Sequence, residues 1–329
     1  MKIVVMGSGA IGCLYGGLLS IANPGSVTLV GRKPIIDAIQ THGLTIRGAM
    51  GDHDIPINAT EDPSTIEEAD LVLITTKTYD TLRAAQSIKH LVEKGAYVMP
   101  VQNGIGTETM VADVLNTTRV LRATTCMGAL MQPPGVVTAT GRGITEIGTK
   151  YSENMEMVSK VADLLQEAGF IVRASDNIDG VIWTKTIVNC GINPVGALTD
   201  LTNGEIHSNM ALRQLVIHLI EETAAVAEAL GVELTTDDPV RYALGTAKAT
   251  SENINSMLQD VRNRKRTEID SITGAVIQIG KELRIETPAS EAVYSLVKAI
   301  ESKYLTDEDL SDEEVQIAVD ELVKSINQH

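Results

Sequence analysis

Residues 180–200 read GVIWTKTIVNCGINPVGALTD. Within them Lys185, Asn189 and Asn193 stand four residues apart, a spacing that stacks side chains along one face of a helix. Their neighbours are Ile, Val and Trp. A lysine in apolar surroundings is costly unless it is paired or uncharged. Burial disfavours its charged form and lowers its pKa, so such an ammonium can act as a general acid near neutral pH. Two amides in line with it can hold the polar parts of a small molecule. A solvated stripe on a half-buried helix has the same pattern, and this helix alone does not choose between the two. Asn193 precedes Pro194, which predicts that the helix ends there.

A second group lies in ENINSMLQDVRNRKRTEID, residues 252–270, which carries Asn253, Ser256 and Glu268. Ser256 and Glu268 are twelve apart, too far for one helical contact, so they can share a cleft only across a turn or bend. The alternative is a solvated helix with a basic surface run.

A third group is GSGAIG at residues 7–12, which fits GxGxxG. It follows the apolar run KIVVM and opens a helical pattern, the context that gives this motif meaning. Gly7 permits a tight turn, Gly9 lets a pyrophosphate approach the backbone, and Gly12 lets the helix pack on the sheet. With Ser8, Ala10 and Ile11 they form a phosphate-binding turn, whose helix N-terminus offers free N–H groups to an anion. An NAD enzyme usually has Asp or Glu at the end of the second strand, for the ribose 2′-hydroxyl. This chain has Gly31, Arg32 and Lys33 there. A guanidinium can pair with a 2′-phosphate, so the cofactor expected is NADP(H). Two further loops follow strands. TTKTYDT carries Lys77, and VQNGIGT carries Asn103, whose amide can bond a nicotinamide ribose or a substrate.

These residues need elements to position them. In the first half, SVTLVG, DLVLITTK, AYVMPVQ and RVLRATT repeat the strand signature, with PIIDAIQTH, DTLRAAQSIKHLVE and GTETMVADVL as helices between them. Such alternation predicts an α/β, Rossmann-type doubly wound parallel sheet. GVVTATGRGITEIG reads as two strands about a glycine-rich turn, followed by a helix to Gly169 and a last strand, FIVRAS. The stretch 44–63 carries no familiar motif. After Asp176 only helical patterns remain, with breaks near Pro194, Gly231, Pro239 and Pro288. The organisation expected is residues 1–176 as an NADP-binding domain and 177–329 as an all-helical substrate-binding and catalytic domain, with the ligand in the cleft between them. Residues 305–329 are an acidic extension, read either as a solvated terminal helix or as a contact to a partner or to a second copy in a homodimer.

The chain has 329 residues, 43% of them hydrophobic and 21% charged, as in a globular protein. Its net charge of -16 disfavours nucleic acid and anionic membranes as partners. A local basic site can still bind a small anion, because salt screens the distant field beyond about 10 Å. The three cysteines, Cys13, Cys126 and Cys190, form no CxxC pair. Their number and spacing suit a reducing compartment, and no metal site is expected. The N-terminus resembles a signal peptide only superficially, because its strand–turn–helix pattern continues downstream. The location expected is the cytoplasm.

Taken together, GSGAIG, TTKTYDT, QNGIG, WTKTIVNCGINPVGALT, NGEI and SENINSMLQDVRNRKRTEIDSITG resemble the ketopantoate reductase (2-dehydropantoate 2-reductase) family. They stand in family order from Met1 to about Tyr304. The resemblance implies NADPH-dependent reduction of ketopantoate to D-pantoate, a step of pantothenate and coenzyme A biosynthesis. It implies that Lys185 is the proton donor and Glu268 a substrate-orienting acid. It places Ser256 at the substrate carboxylate and Asn189, Asn193 and Asn253 along the substrate site. Asn103 and Lys77 fall beside the nicotinamide, and Arg32 at the 2′-phosphate. Two other readings stay open: an NADPH-dependent reductase of another 2-oxoacid, and an NADP(H)-binding sensor without turnover. The sensor has no need of Lys185, Ser256 and Glu268 together.

Overall fold

A computed structural model describes residues 1–306. The acidic extension read at residues 305–329 lies, from 307 onward, outside the described residues. The chain forms two compact units. One comprises residues 1–102 and 107–178, the other residues 103–106 and 179 onward.

The first unit begins with β1 (Ile3–Met6), α1 (Ala10–Ala22), β2 (Val27–Val30) and α2 (Lys33–His42). Next come β3 (Leu44–Gly48), β4 (His53–Ile55), β5 (Asn58–Thr60) and β6 (Leu71–Ile74). The 3₁₀ turn Thr78–Asp80 leads to α3 (Thr81–Ser87) and α4 (Lys89–Val92). Then follow β7 (Tyr97–Pro100), α5 (Thr107–Leu115), β8 (Arg122–Thr125), β9 (Gly128–Met131), β10 (Val136–Gly141) and β11 (Ile144–Gly148). α6 (Met155–Glu167) and β12 (Ile171–Ala174) complete the unit.

The principal sheet has the order β5-β2-β1-β6-β7 and is parallel throughout. This is the doubly wound sheet that the buried β-branched runs predict, with β1 at its centre. Two smaller mixed sheets, β4-β3-β10-β9 and β12-β11-β8, lie in the same unit. α1 is apolar and rich in small residues because it is packed on both sides. A Cβ at Gly16 would stand 2.5 Å from Leu29 of the principal sheet, and one at Gly17 would stand 2.7 Å from Ile46 of the second.

Two findings go beyond the sequence reading. The stretch 44–63 forms three short strands. The two strands about the glycine-rich turn do not pair with each other. β10 pairs with β3 and β9, whereas β11 pairs with β8 and β12. The turn therefore carries the chain from one sheet to another.

The second unit has α7 (Ile178–Thr199), α8 (Asn203–Ser208), α9 (Met210–Ala229), α10 (Pro239–Ala249) and α11 (Ser256–Arg262). A π-helical turn at Asp270–Gly274 runs into α12 (Ala275–Leu283), and α13 (Pro288–Glu301) follows. Among the described residues this unit contains no strand. The expected breaks at Gly231, Pro239 and Pro288 fall at helix ends. The expected break at Asn193 does not occur, since α7 continues through Pro194 to Thr199. Pro194 removes a hydrogen bond to the Cys190 carbonyl, at a cost of about 3 kcal/mol. Burial of Ile192 and Val195 against α9, each worth roughly 1.5–3 kcal/mol, offsets that cost and keeps the helix whole. Asn193 is thus an interior helical residue.

Candidate active site

In the first unit, β1 ends at a turn in which Gly7 and Gly12 leave no room for a side chain. Gly7 has φ +117, and a Cβ there would lie 2.6 Å from the Thr76 amide nitrogen. A Cβ at Gly12 would lie 1.8 Å from the Gly7 carbonyl oxygen, which itself accepts a 2.7 Å hydrogen bond from Thr75 Oγ1. Gly9 caps α1 without any side-chain hydrogen bond, and nothing stands within 4 Å of where its Cβ would be. The N–H groups of Ala10, Ile11 and Gly12 are those a helix start leaves without an intrahelical partner. No acidic residue occupies this first turn. Ser8 is buried, and its hydroxyl finds no hydrogen-bond partner among the described residues. Unpaired N–H groups, a buried idle hydroxyl and open space over Gly9 together fit a pyrophosphate.

Arg32 is the first residue after Gly31 and caps α2. Its side chain is 79% exposed and its guanidinium lies 3.5 Å from Asp80. Such an exposed pair is worth about 0–1 kcal/mol, so a phosphate can displace it. Lys33 instead turns to Asp37 at 3.2 Å and Glu61 at 3.6 Å. Of the two cations, Arg32 has the looser hold on its neighbours.

Lys77 is half-buried and opens the 3₁₀ turn. Its backbone is held by Gln102, a buried residue that sequence reasoning passed over. Gln102 Nε2 lies 3.0 Å from the Thr76 carbonyl, 3.3 Å from that of Lys77 and 2.7 Å from Thr81 Oγ1. Arg122, 1% exposed, donates in turn to the carbonyls of Gln102 at 2.8 Å and Pro100 at 3.1 Å. The ends of β6 and β7 are therefore fixed to each other immediately before Asn103.

In the second unit, α7 carries Lys185 and Asn189, both half-buried, and Asn193, which is 5% exposed. Beside Lys185, Thr184 Oγ1 accepts from the Thr235 amide at 3.0 Å, which ties this turn to the loop before α10. Toward its C-terminal end, Gly196 makes room for Asn255, whose Nδ2 would stand 2.1 Å from a Cβ at that position. Asn255 caps α11 by accepting from the Leu258 amide at 3.0 Å. Asn255, which sequence reasoning also passed over, thereby sets the position of Ser256, the first residue of α11. Ser256 and Asn253 are both exposed, and the Asn253 carbonyl accepts from the Asn203 amide at 3.1 Å. The polarity of the segment was visible in sequence, but its capping residue was not.

Glu268 is 6% exposed and precedes the π-helical turn. Its Oε2 accepts from Asn103 Nδ2 at 3.3 Å. Two expected site residues, 165 positions apart, are thus in direct contact. Gly104 has φ +84, and a Cβ there would stand 2.6 Å from the Ser271 carbonyl oxygen. This close approach explains why residues 103–106 belong to the second unit. Of the expected residues, Gly7, Ser8, Gly9, Ala10, Ile11, Gly12, Arg32 and Lys77 lie in the first unit. Asn103, Lys185, Asn189, Asn193, Asn253, Ser256 and Glu268 lie in the second. Among the described residues no group of three or more His, Cys, Asp or Glu side chains could hold a metal. None of their helices is long and apolar enough to cross a membrane.

The chain is 40% identical over 305 residues to the 2-dehydropantoate 2-reductase of Pyrococcus horikoshii, covering 92% of this chain and 98% of that one. The crystal structure of a PanE/ApbA family ketopantoate reductase from Ralstonia eutropha superposes with a TM-score of 0.85 at 34% identity, over 92% and 99% of the two chains. A D-mandelate dehydrogenase with NADH and anilino(oxo)acetate superposes with a TM-score of 0.86 at 26% identity, over 92% and 99%. The sequence pattern of "Ketopantoate reductase PanE/ApbA" matches residues 3–151, and that of its C-terminal region matches 177–301. With both halves matched in order, the chain belongs to the ketopantoate reductase family.

Proposed function

We propose that this protein reduces the ketone of 2-dehydropantoate to D-pantoate with NADPH, in the cytoplasm. Residues 1–176 act as the NADP-binding domain and 177–329 as the substrate-binding domain. The observation that carries the reading is the polar line Lys185, Asn189 and Asn193 on α7, in the same unit as a buried Glu268 held by Asn103. A protein that only senses a dinucleotide has no use for that constellation.

The chemistry adds a hydride to the carbonyl carbon and a proton to its oxygen, giving a secondary alcohol. NADPH, when bound, supplies the hydride and leaves as NADP⁺. The N–H groups at residues 10–12 and the Ser8 hydroxyl bind its pyrophosphate, and Arg32 binds the 2′-phosphate. Lys77 and Asn103 would contribute polar contacts to the nicotinamide end of the cofactor. Lys185 Nζ donates the proton to the carbonyl oxygen as negative charge develops there. Glu268 orients the substrate by hydrogen bonding and is itself oriented by Asn103. Ser256 binds the substrate carboxylate, and Asn189, Asn193 and Asn253 fix the remaining polar groups.

The likeness to a D-mandelate dehydrogenase favours one second reading, a reductase of another 2-oxoacid on the same framework. Initial rates of NADPH oxidation with ketopantoate, beside NADH and beside smaller and larger 2-oxoacids, separate the two. The expected result is NADPH-dependent turnover, fastest on ketopantoate. Faster turnover of another acid moves the assignment to that substrate. Tight NADPH binding with no turnover of any acid leaves the sensor.

A further inference from the structure

The side chain of Glu268 is held by Asn103, and the residues on either side of it in the sequence are held by α13. On the N-terminal side, the Thr267 amide donates to Glu301 Oε1 at 2.6 Å, and both residues are fully buried. On the C-terminal side, the Asp270 carboxylate accepts from the Tyr294 hydroxyl at 2.8 Å and from Lys298 Nζ at 3.1 Å. Arg266 adds a 3.4 Å ion pair to Asp270, and Lys298 also lies 3.3 Å from Glu301. Tyr294, Lys298 and Glu301 follow at steps of four and three, so they share one face of α13. That face grips the residues on both sides of Glu268.

The backbone between these grips is unusual. Gly274 donates to the Ile269 carbonyl at 2.9 Å, an i to i−5 bond that defines a π turn. The Glu268 carbonyl accepts from Ile272 at 3.1 Å and from Ser271 Oγ at 3.2 Å. A π turn inserts a residue and rotates what precedes it, and such turns frequently mark functional sites. It is weaker than regular helix, so something must hold it. Below it, Val297 of α13 packs with Ile269, Met257 of α11 and Ala197 of α7, which ties the same helix to the elements carrying Ser256 and Asn193.

We propose that Tyr294, Lys298 and Glu301 of α13, acting through Asp270 and Thr267, are positioning residues that set the aim of Glu268. The proposal rests on the reading of Glu268 as the carboxylate that orients the substrate. A positioning residue works only through the group it positions. Its removal lowers the rate when Glu268 is present and changes nothing further once Glu268 is gone.

The test uses the full chain carrying Tyr294→Phe or Lys298→Met, each alone and combined with Glu268→Gln. Ketopantoate reduction, NADPH affinity and melting temperature are measured for all. Tyr294→Phe removes one hydroxyl and keeps the ring, so it remains decisive even if Lys298→Met fails to fold. The expected result is a kcat lowered about threefold to tenfold by Tyr294→Phe, with NADPH affinity unchanged. In the Glu268→Gln background the same change costs nothing more. Equal losses in both backgrounds overturn the proposal, because they mark a purely structural role. So does an unchanged kcat in Tyr294→Phe when Glu268→Gln alone is impaired, in which case Glu268 keeps its role. A Glu268→Gln enzyme at full rate overturns the reading of Glu268 itself, and the proposal with it.

Discussion

At the scale of single residues, the proton donor carries the largest share of the proposed chemistry. Lys185 stands half-buried on a helix whose other faces are packed, so truncating it removes an ammonium without opening the core. Lys185→Ala is expected to lower kcat about 10² to 10⁴-fold, the usual worth of positioned acid catalysis. Its melting temperature and NADPH affinity should stay close to those of the parent. A variant that still turns over at full rate removes Lys185 from the mechanism. Residues of this kind are readable in sequence because their types are out of place among Ile and Val. Gln102, Arg122 and Asn255 were not readable. Each acts on particular backbone groups, such as the Gln102 carbonyl for Arg122, and only the fold shows which groups come within reach.

At the scale of elements, long apolar runs were legible and short polar ones were not. β1, β2, β6 and β7 of the parallel sheet are buried and β-branched, so burial and propensity agree. β4 and β5 are three-residue strands with His, Asp, Asn and Thr, and their existence depends on a neighbour to pair with. α7 was misjudged at Pro194 because tertiary packing outweighed a local rule. The join of α5 to β8 is a buried ion pair invisible in sequence. Glu108 lies 3.2 Å from Arg122 Nε and 3.0 Å from Lys150 Nζ. Burial by itself raises the Glu108 pKa, but Lys150 and then Arg122 outweigh it and hold the group below its ordinary value of 4.5. A carboxylate depressed by folding adds stability above its unfolded pKa and loses it as pH falls through the folded one. Glu108→Gln leaves Arg122 buried without its counter-charge, a change that costs on the order of 3 kcal/mol. Denaturant unfolding should show that deficit in full at pH 7. The gap between variant and parent should close as pH falls below 4.5. A deficit that does not change with pH would show that Glu108 acts by packing rather than by charge.

At the scale of the whole molecule, the chain carries a net charge of -16, yet its proposed ligands are anions. Local groups must therefore outweigh the distant field. In the proposed binding mode the phosphate turn does so with backbone N–H groups, which do not discriminate between NADPH and NADH. On that proposal discrimination falls to Arg32, whose 79% exposed guanidinium has only a weak hold on Asp80. A ligand that binds the folded state alone stabilises it by about 2.7 kcal/mol at a hundredfold excess over Kd. At equal concentrations NADPH should therefore raise the melting temperature more than NADH. Arg32→Ala should reduce the NADPH shift to the NADH value and leave the NADH shift alone, because NADH has no 2′-phosphate to lose. The excess should also shrink as salt rises, since an exposed ion pair is screened within about 10 Å at 0.1 M ionic strength. Equal shifts by the two cofactors in the unaltered protein would remove the 2′-phosphate role from Arg32. A loss of both shifts alike in Arg32→Ala would assign the guanidinium to the part that both cofactors share.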